Sequence, residues 1–231
     1  MTTELRVDAH SLGLSIRPPT RSGGVVLYLT GDRDLASDPE GALDRAGHLA
    51  IRTGCIVVCA RYRSAFPEAL DDVRRAYDLC ERADPIVVAG ERGGAGLATA
   101  LLVRLRDEGA VQPHRAILVS PMLDFTLEAP SLSFNAAADP GFSLAHLRQR
   151  VSEYAGGTPL TDPLLSPLFA NLHGLPPIQM QTAGTDPHLD DALSFAARAA
   201  RSGVTVDLHV RPDTAALHAA LLPTMAAFLT G

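Results

Sequence analysis

The stretch "IVVAGERGGAGLA", residues 86–98, carries the pattern that decides the fold. It opens with a short apolar run typical of a buried strand, and it continues through a glycine-rich turn into a helical segment. The turn reads Gly90-Glu91-Arg92-Gly93-Gly94. Glycines at both ends of such a turn let a strand and a helix approach closely. The stretch therefore predicts a strand–turn–helix unit with Arg92 at its tip.

Short apolar segments alternate with longer amphipathic ones along the rest of the chain, which predicts a mostly parallel sheet flanked by helices. The predicted strands lie at residues 24–29, 55–62, 85–90, 114–122, 177–184 and 204–212. The predicted helices lie at residues 39–54, 66–83, 94–109, 143–156, 188–203 and 214–231. Residues 124–165 lack a strand pattern, so we interpret them as a cap-like insertion within a single domain of residues 1–231.

Composition limits the function. The 231 residues are 46% hydrophobic and 20% charged, as in an ordinary globular protein, and the net charge of -6 argues against nucleic acid as a partner. No apolar run approaches the roughly 20 residues that span a bilayer, and the amino terminus lacks the pattern of a secretory signal. A cytoplasmic protein without a membrane partner is expected. The chain contains no lysine, which excludes Schiff-base chemistry through a lysine amine.

The three cysteines, Cys55, Cys59 and Cys80, predict neither a disulfide framework nor a metal site. They are too few and too sparse for a framework, and no second pair with zinc-ligand spacing accompanies Cys55 and Cys59. We interpret all three as small buried apolar residues. Neither a metal nor an organic cofactor is expected.

Two further segments carry a family resemblance. "ARYRSAFPEALDDVRRAY" begins at Ala60, and "TDPLLSPLFANLHGLPPIQMQTAGTDPHLDD" begins at Thr161. Together they resemble the hormone-sensitive-lipase-like branch of the α/β-hydrolases, from about Val25 to the end of the chain. The resemblance implies an α/β-hydrolase fold, a Ser-His-Asp triad on a nucleophile elbow and a backbone oxyanion hole. The amino terminus is short for this family, which implies a reduced cap.

Matched to the family residue by residue, the triad is degenerate. Asp186 stands at the position of the catalytic aspartate, whereas Arg92 stands at that of the serine. Ala216 replaces the histidine, and His218 could substitute for it only if the loop shifts. The family's H-G-G-G loop corresponds to Thr30-Gly31-Asp32-Arg33, which keeps one glycine and gains two charges.

Arginine has no nucleophilic oxygen, so an acyl-enzyme at residue 92 is excluded. A guanidinium beside the amino-terminal end of a helix suits a carboxylate, phosphate or enolate oxygen. The alternative is an internal salt bridge from Arg92 to Asp186 or Glu91, which we favour slightly for the resting protein. The candidate catalytic residues are Asp186, His218 and Arg92, and the candidate substrate-binding residues are Thr30, Gly31, Asp32, Glu91, Gly93 and His188.

Three functions remain open. The favoured one is a non-hydrolytic lyase or cyclase of specialised metabolism, such as polyketide tailoring, in which Asp186 and a histidine move a proton and Arg92 holds a negative oxygen. The second is a catalytically dead homologue that binds a ligand or a partner protein. The third is an esterase with a rerouted nucleophile, such as Ser64, Ser120 or Cys59. The expected partner is a small, mostly apolar molecule with an anionic or carbonyl oxygen, and a homodimer is compatible with the fold.

Overall fold

The computed structural model describes residues 4–21, 23–31, 35–80 and 84–230. Its strands form one sheet in the order β1-β2-β4-β3-β5-β6-β7-β8. The antiparallel pairs are β1 with β2 and β2 with β4, whereas the remaining neighbours are parallel. The strands are β1 Arg6–His10, β2 Gly13–Arg17, β3 Val25–Thr30, β4 Ile56–Ala60, β5 Ile86–Glu91, β6 Arg115–Val119, β7 Ile178–Ala183 and β8 Val206–Arg211.

Helices cover both faces of this sheet. They are α1 Leu43–Thr53, α2 Glu68–Leu79, α3 Gly93–Asp107, α4 Ser131–Phe134, α5 Leu144–Ala155, α6 Leu189–Arg201 and α7 Thr214–Thr230, with 3₁₀ turns at Ala136–Ala138 and Pro167–Phe169. Successive residues of β3 enter opposite cores because side chains alternate along a strand. Leu27 belongs to the core that includes residues of α2, α3 and α6, and Tyr28 belongs to the core that includes residues of α1 and α7. The predicted α/β-hydrolase fold is confirmed.

The six predicted strands and six long predicted helices are all present, with ends shifted by a few residues. The hairpin of β1 and β2 was not predicted. β1 is largely exposed at the sheet edge, so it carries little apolar periodicity. β2 did carry a signal, because Leu14 and Ile16 alternate and are buried.

Residues 124–165 contain α4, the first 3₁₀ turn and α5, and no strand among them. Asp139 of this segment has its Oδ2 3.9 Å from Nη1 of Arg92, the residue after β5. The limits of the cap-like insertion and of a single domain stay predictions. Within the described part of the chain, no helix combines the length and the apolar character that crossing a membrane requires.

The turn at residues 90–94, which we call the elbow, depends on two very close approaches. A Cβ on Gly94 would lie 2.2 Å from the Leu29 carbonyl oxygen, and one on Gly90 would lie 2.5 Å from the Gly94 carbonyl oxygen. In both cases the obstacle is backbone, which cannot move aside without shifting β3 or α3. Strand and helix are therefore packed at a distance that only glycine permits.

Gly94→Ala is expected to lower the free energy of unfolding by about 1–3 kcal/mol, because the added methyl group overpacks the junction of β3 and α3. Urea unfolding followed by far-UV circular dichroism measures this change. Gly184→Ala is the control, since a Cβ there would meet its nearest atom at an ordinary 3.4 Å. Equal unfolding midpoints for the two variants would contradict the steric account of the elbow.

Candidate active site

Arg92 occupies the tip of the elbow in a strained conformation. Its φ of 51° and ψ of -120° lie outside the regions that side-chain-bearing residues favour. The Arg92 N–H donates to the Val119 carbonyl at 2.9 Å, and the Arg92 carbonyl accepts from Met122 N–H at 3.2 Å and from the first turn of α3. Main-chain hydrogen bonds thus hold the tip in place without help from its side chain. This backbone is the sharp strand-to-helix turn of a nucleophile elbow.

A cavity of about 230 Å³ opens beside the elbow. Its walls come from the elbow, from the loops after β3, β6 and β7, and from α5 with the residues just before it. The lining residues are Leu35, Arg92, Gly93, Met122, Gly141, Phe142, Ser143, His146, Leu147 and His188. The Phe142 ring meets the His188 ring edge-on, with centroids 6.1 Å apart. Among the described residues, the lining is largely apolar and includes one guanidinium and two imidazoles.

The ion-pair partner of Arg92 is Asp139, which sequence reasoning did not anticipate. Arg92 Nη1 lies 3.9 Å from Asp139 Oδ2, and both side chains are partly exposed. The predicted salt bridge from Arg92 to Asp186 or Glu91 is therefore wrong for this conformation. Asp139 follows a 3₁₀ turn in the 124–165 segment, 47 positions after Arg92, and no periodicity in the sequence connects the two.

Glu91 does not line the cavity, although it was a candidate binding residue. The Tyr28 hydroxyl and the Arg45 guanidinium both donate to its carboxylate on the opposite face of the sheet. Burial and the neighbouring carboxylate raise the pKa of Tyr28, so the phenol stays a donor. The period of two along β5 could have predicted this, since Ala89 points into the same face as Tyr28.

Asp186 and His188 follow β7 and are both buried, each 5% exposed. Asp186 Oδ1 accepts the His188 backbone N–H at 2.8 Å, and the Asp186 carbonyl accepts from the Asn135 amide at 2.9 Å. Within the described chain, His188 Nδ1 is buried without a hydrogen-bond partner. Burial lowers the pKa of His188 to about 4, with Arg92 acting in the same direction and Asp186 and Asp139 opposing it. The cavity therefore contains a neutral imidazole at pH 7.

Of the remaining predicted site residues, Gly93 lines the cavity, whereas the others do not line it or fall outside the described ranges. His218 is exposed on α7, and the cavity lining does not include it. The Thr30 hydroxyl donates to the Asp38 carbonyl at 2.9 Å, which directs it into the loop after β3. Gly31 packs against the elbow, where a Cβ would meet Gly94 N at 2.7 Å. Asp32 lies outside the described residues, whereas Gly93 does line the cavity.

None of the alternative nucleophiles lines the cavity. Cys59 is fully buried, and burial together with Glu91 and Glu40 raises the pKa of its thiol to about 12, so the reactive thiolate is absent at pH 7. Ser120 is 5% exposed at the end of β6. The Ser64 hydroxyl donates to the Leu35 carbonyl at 3.3 Å. Among the residues described, no group of three or more His, Cys, Asp or Glu side chains could hold a metal ion.

Acidification should destabilise the folded protein partly through His188. Its folded pKa of about 4 lies below the ordinary 6.5, so the unfolded chain takes up the proton first and the free energy of unfolding falls as the pH drops from 6.5 toward 4. His188→Asn should remove the uptake of about one proton on unfolding. The free energy of unfolding, measured by urea titration, should then fall less steeply between pH 6.5 and 4. His218→Asn, an exposed control, should follow the wild type. An equal pH dependence of the unfolding free energy in wild type and His188→Asn would refute the lowered pKa of His188.

Comparison with known proteins identifies the family. A family model described as the α/β-hydrolase fold matches residues 35–220. An acetyl-hydrolase from Streptomyces hygroscopicus is 32% identical over 212 residues, covering 88% of this chain and 71% of that protein. An esterase from Acinetobacter venetianus is 36% identical over 167 residues, covering 68% of this chain but only 55% of its own length. A solved esterase of the bacterial hormone-sensitive lipase family superposes with a TM-score of 0.89 at 28% identity, covering 100% of this chain and 87% of that one.

These relatives overturn the functional hypothesis that we favoured from the sequence. Both named relatives are hydrolases, and the structural neighbour is an esterase. The expectation of a non-hydrolytic lyase or cyclase in a biosynthetic pathway is therefore wrong. It rested on the loss of the serine, and that loss alone does not indicate elimination or cyclisation. The elbow, the sheet order and these matches place the chain in the α/β-hydrolase fold family, in its hormone-sensitive-lipase-like esterase branch.

Proposed function

We propose that this protein recognises small esters in the cavity beside Arg92 and forms no acyl-enzyme there. The observation that carries the proposal is the Arg92 guanidinium at the tip of an intact elbow, lining a cavity of about 230 Å³. The class of ligand comes from the relatives, which are named as an acetyl-hydrolase and an esterase. The chain spans 71% and 55% of their lengths, so their activities are not transferred whole.

The lining supports a ligand with a polar oxygen and a short apolar chain. Arg92 supplies several N–H donors, and α3 begins directly after it, so the positive end of the helix dipole adds to the field at the elbow. Met122, Phe142 and Leu147 supply apolar wall. The volume lies below the roughly 300–1,000 Å³ of drug-sized sites. A short acyl ester, with its carbonyl oxygen at Arg92 and its chain along the wall, matches this chemistry.

Two of the three residues that acyl transfer through a Ser-His-Asp triad requires are replaced. Arg92 replaces the nucleophile, and its guanidinium remains protonated at any working pH. Ala216, at the position of the family's histidine, lies in the first turn of α7 and cannot transfer a proton. Asp186 alone cannot sustain the route, because triad residues act as a unit.

Hydrolysis by water is the second candidate, favoured by the hydrolase names of the relatives and by the imidazole of His188 in the cavity. Neutral His188 would accept a proton from water as it attacks the ester carbonyl, while Arg92 stabilises the developing oxyanion. The C–O bond to the alcohol would then break, and the His188 imidazolium would return the proton to the leaving alkoxide oxygen. A pKa of about 4 makes His188 a weak base, which limits such turnover to a slow rate. Recognition of the ester is common to both candidates.

Wild-type protein mixed with p-nitrophenyl butyrate should give no burst of p-nitrophenolate and no acyl adduct by intact-protein mass spectrometry. Arg92→Ser combined with Ala216→His restores all three triad residues, and it should hydrolyse the ester about a hundredfold faster than Arg92→Ser alone. Slow wild-type turnover that disappears in His188→Asn would select the water route. A stoichiometric acyl adduct on the wild-type protein would refute the proposal and reveal another nucleophile.

Removing the cation should weaken ester binding. Arg92→Gln keeps a polar side chain of similar reach but loses the charge, so methyl butyrate should bind about tenfold more weakly in an NMR titration, the scale expected for one charge-assisted hydrogen bond. His218→Asn provides the matched control and should bind as the wild type does. Unchanged affinity in Arg92→Gln would show that the ligand does not contact the elbow.

A further inference from the structure

Asp139 lies at the edge of the elbow cavity, and its own loop holds it there. It follows the 3₁₀ turn Ala136–Ala138 and precedes α5. Its Oδ1 accepts the Gly141 N–H at 3.2 Å, and its backbone carbonyl accepts the Phe142 N–H at 2.8 Å. Gly141 and Phe142 both line the cavity. The carboxylate is thus positioned by the segment that forms the cavity wall, with Oδ2 directed toward Arg92.

Asp139 compensates the positive charge of Arg92 but leaves N–H donors of the guanidinium available for a ligand. The 3.9 Å separation of Nη1 and Oδ2 exceeds the roughly 2.7–2.9 Å of a charge-assisted hydrogen bond. The Arg92 side chain is 34% exposed, so N–H donors remain accessible from the cavity. A ligand oxygen can therefore accept a hydrogen bond from Arg92 while Asp139 stays in place.

The charges around the cavity disfavour an anion. Among the residues that the structure describes, the Arg92 guanidinium has the Asp139 carboxylate beside it, and a second carboxylate, Asp186, lies next to His188. The His188 imidazole is neutral at pH 7 and adds no positive charge. A carboxylate ligand would approach a cation that is already compensated, and it would meet repulsion from Asp139 at short range. A neutral carbonyl oxygen would not meet this charge repulsion from Asp139.

We propose that Asp139 is a specificity-determining residue that makes the elbow cavity select neutral esters over free carboxylates. This inference rests on the proposed function, since it concerns which oxygen Arg92 accepts. The same contact would favour binding of the ester over retention of the product: Arg92 binds the ester, and Asp139 repels the acid that hydrolysis would produce. The ester carbonyl oxygen accepts a hydrogen bond from an Arg92 N–H that the 3.9 Å contact with Asp139 does not occupy.

Methyl butyrate and sodium butyrate test this selection, because they share an acyl chain and differ in charge. Both are titrated by NMR into wild type, Asp139→Asn and Asp162→Asn. Asp139→Asn keeps an oxygen for the Gly141 N–H, removes the negative charge and places an amide nitrogen where Oδ2 faces Arg92. Asp162 is the matched control, since its Oδ1 accepts the N–H two residues ahead, from Leu164 at 2.8 Å, whereas the described ion pair of Arg92 is with Asp139.

Asp139→Asn should tighten butyrate about tenfold and change methyl butyrate less than about twofold, whereas Asp162→Asn should change neither. An unchanged ratio of ester to acid affinity in Asp139→Asn, with both probes still binding, would overturn the role of Asp139 and leave the proposed function intact. Failure of both probes to bind any of the three proteins would instead overturn the proposed function.

Discussion

The close packing of β3, β5 and α3 around the elbow is the constraint on which the rest of the site depends. Gly90 and Gly94 let main chain approach main chain at distances that no side chain would allow. Hydrogen bonds from Arg92 to Val119 and from Met122 to Arg92 then fix the tip of the turn against β6 and its following loop. Every one of these contacts is made by backbone. The residue at the tip can therefore change from a nucleophile to a cation while the fold persists.

A strained residue at such a position costs about 1–3 kcal/mol, and surrounding contacts must offset it. The structure supplies some of them on the far face of the sheet. Tyr28 and Arg45 bind the carboxylate of Glu91, the residue just before the tip, and so connect the end of β5 to β3 and α1. Glu91 thus supports the elbow from outside the cavity, which explains why a charged residue next to Arg92 makes no ion pair with it.

The electrostatics of the cavity follow from the new residue at the tip. A serine would have needed a base and an oxyanion hole, whereas an arginine needs a compensating charge. Asp139 supplies that charge from a loop, and His188 remains neutral because it is buried. The result is a site whose cation is available for hydrogen bonding but is no longer a strong attractor of anions. On this basis we propose that the site prefers neutral esters.

The sequence by itself determined the sheet, the long helices and the elbow, because the period of two in strands, the period of 3.6 in helices and the glycine pattern are local signals. It also placed Arg92 after β5 and Asp186 after β7, since parallel strands end at one edge of the sheet. Only the tertiary structure decided that Asp139 faces Arg92 and that His218 is exposed on α7. Those outcomes depend on how loops and helices far apart in the chain pack together, and a local pattern contains no information on contacts at such separations.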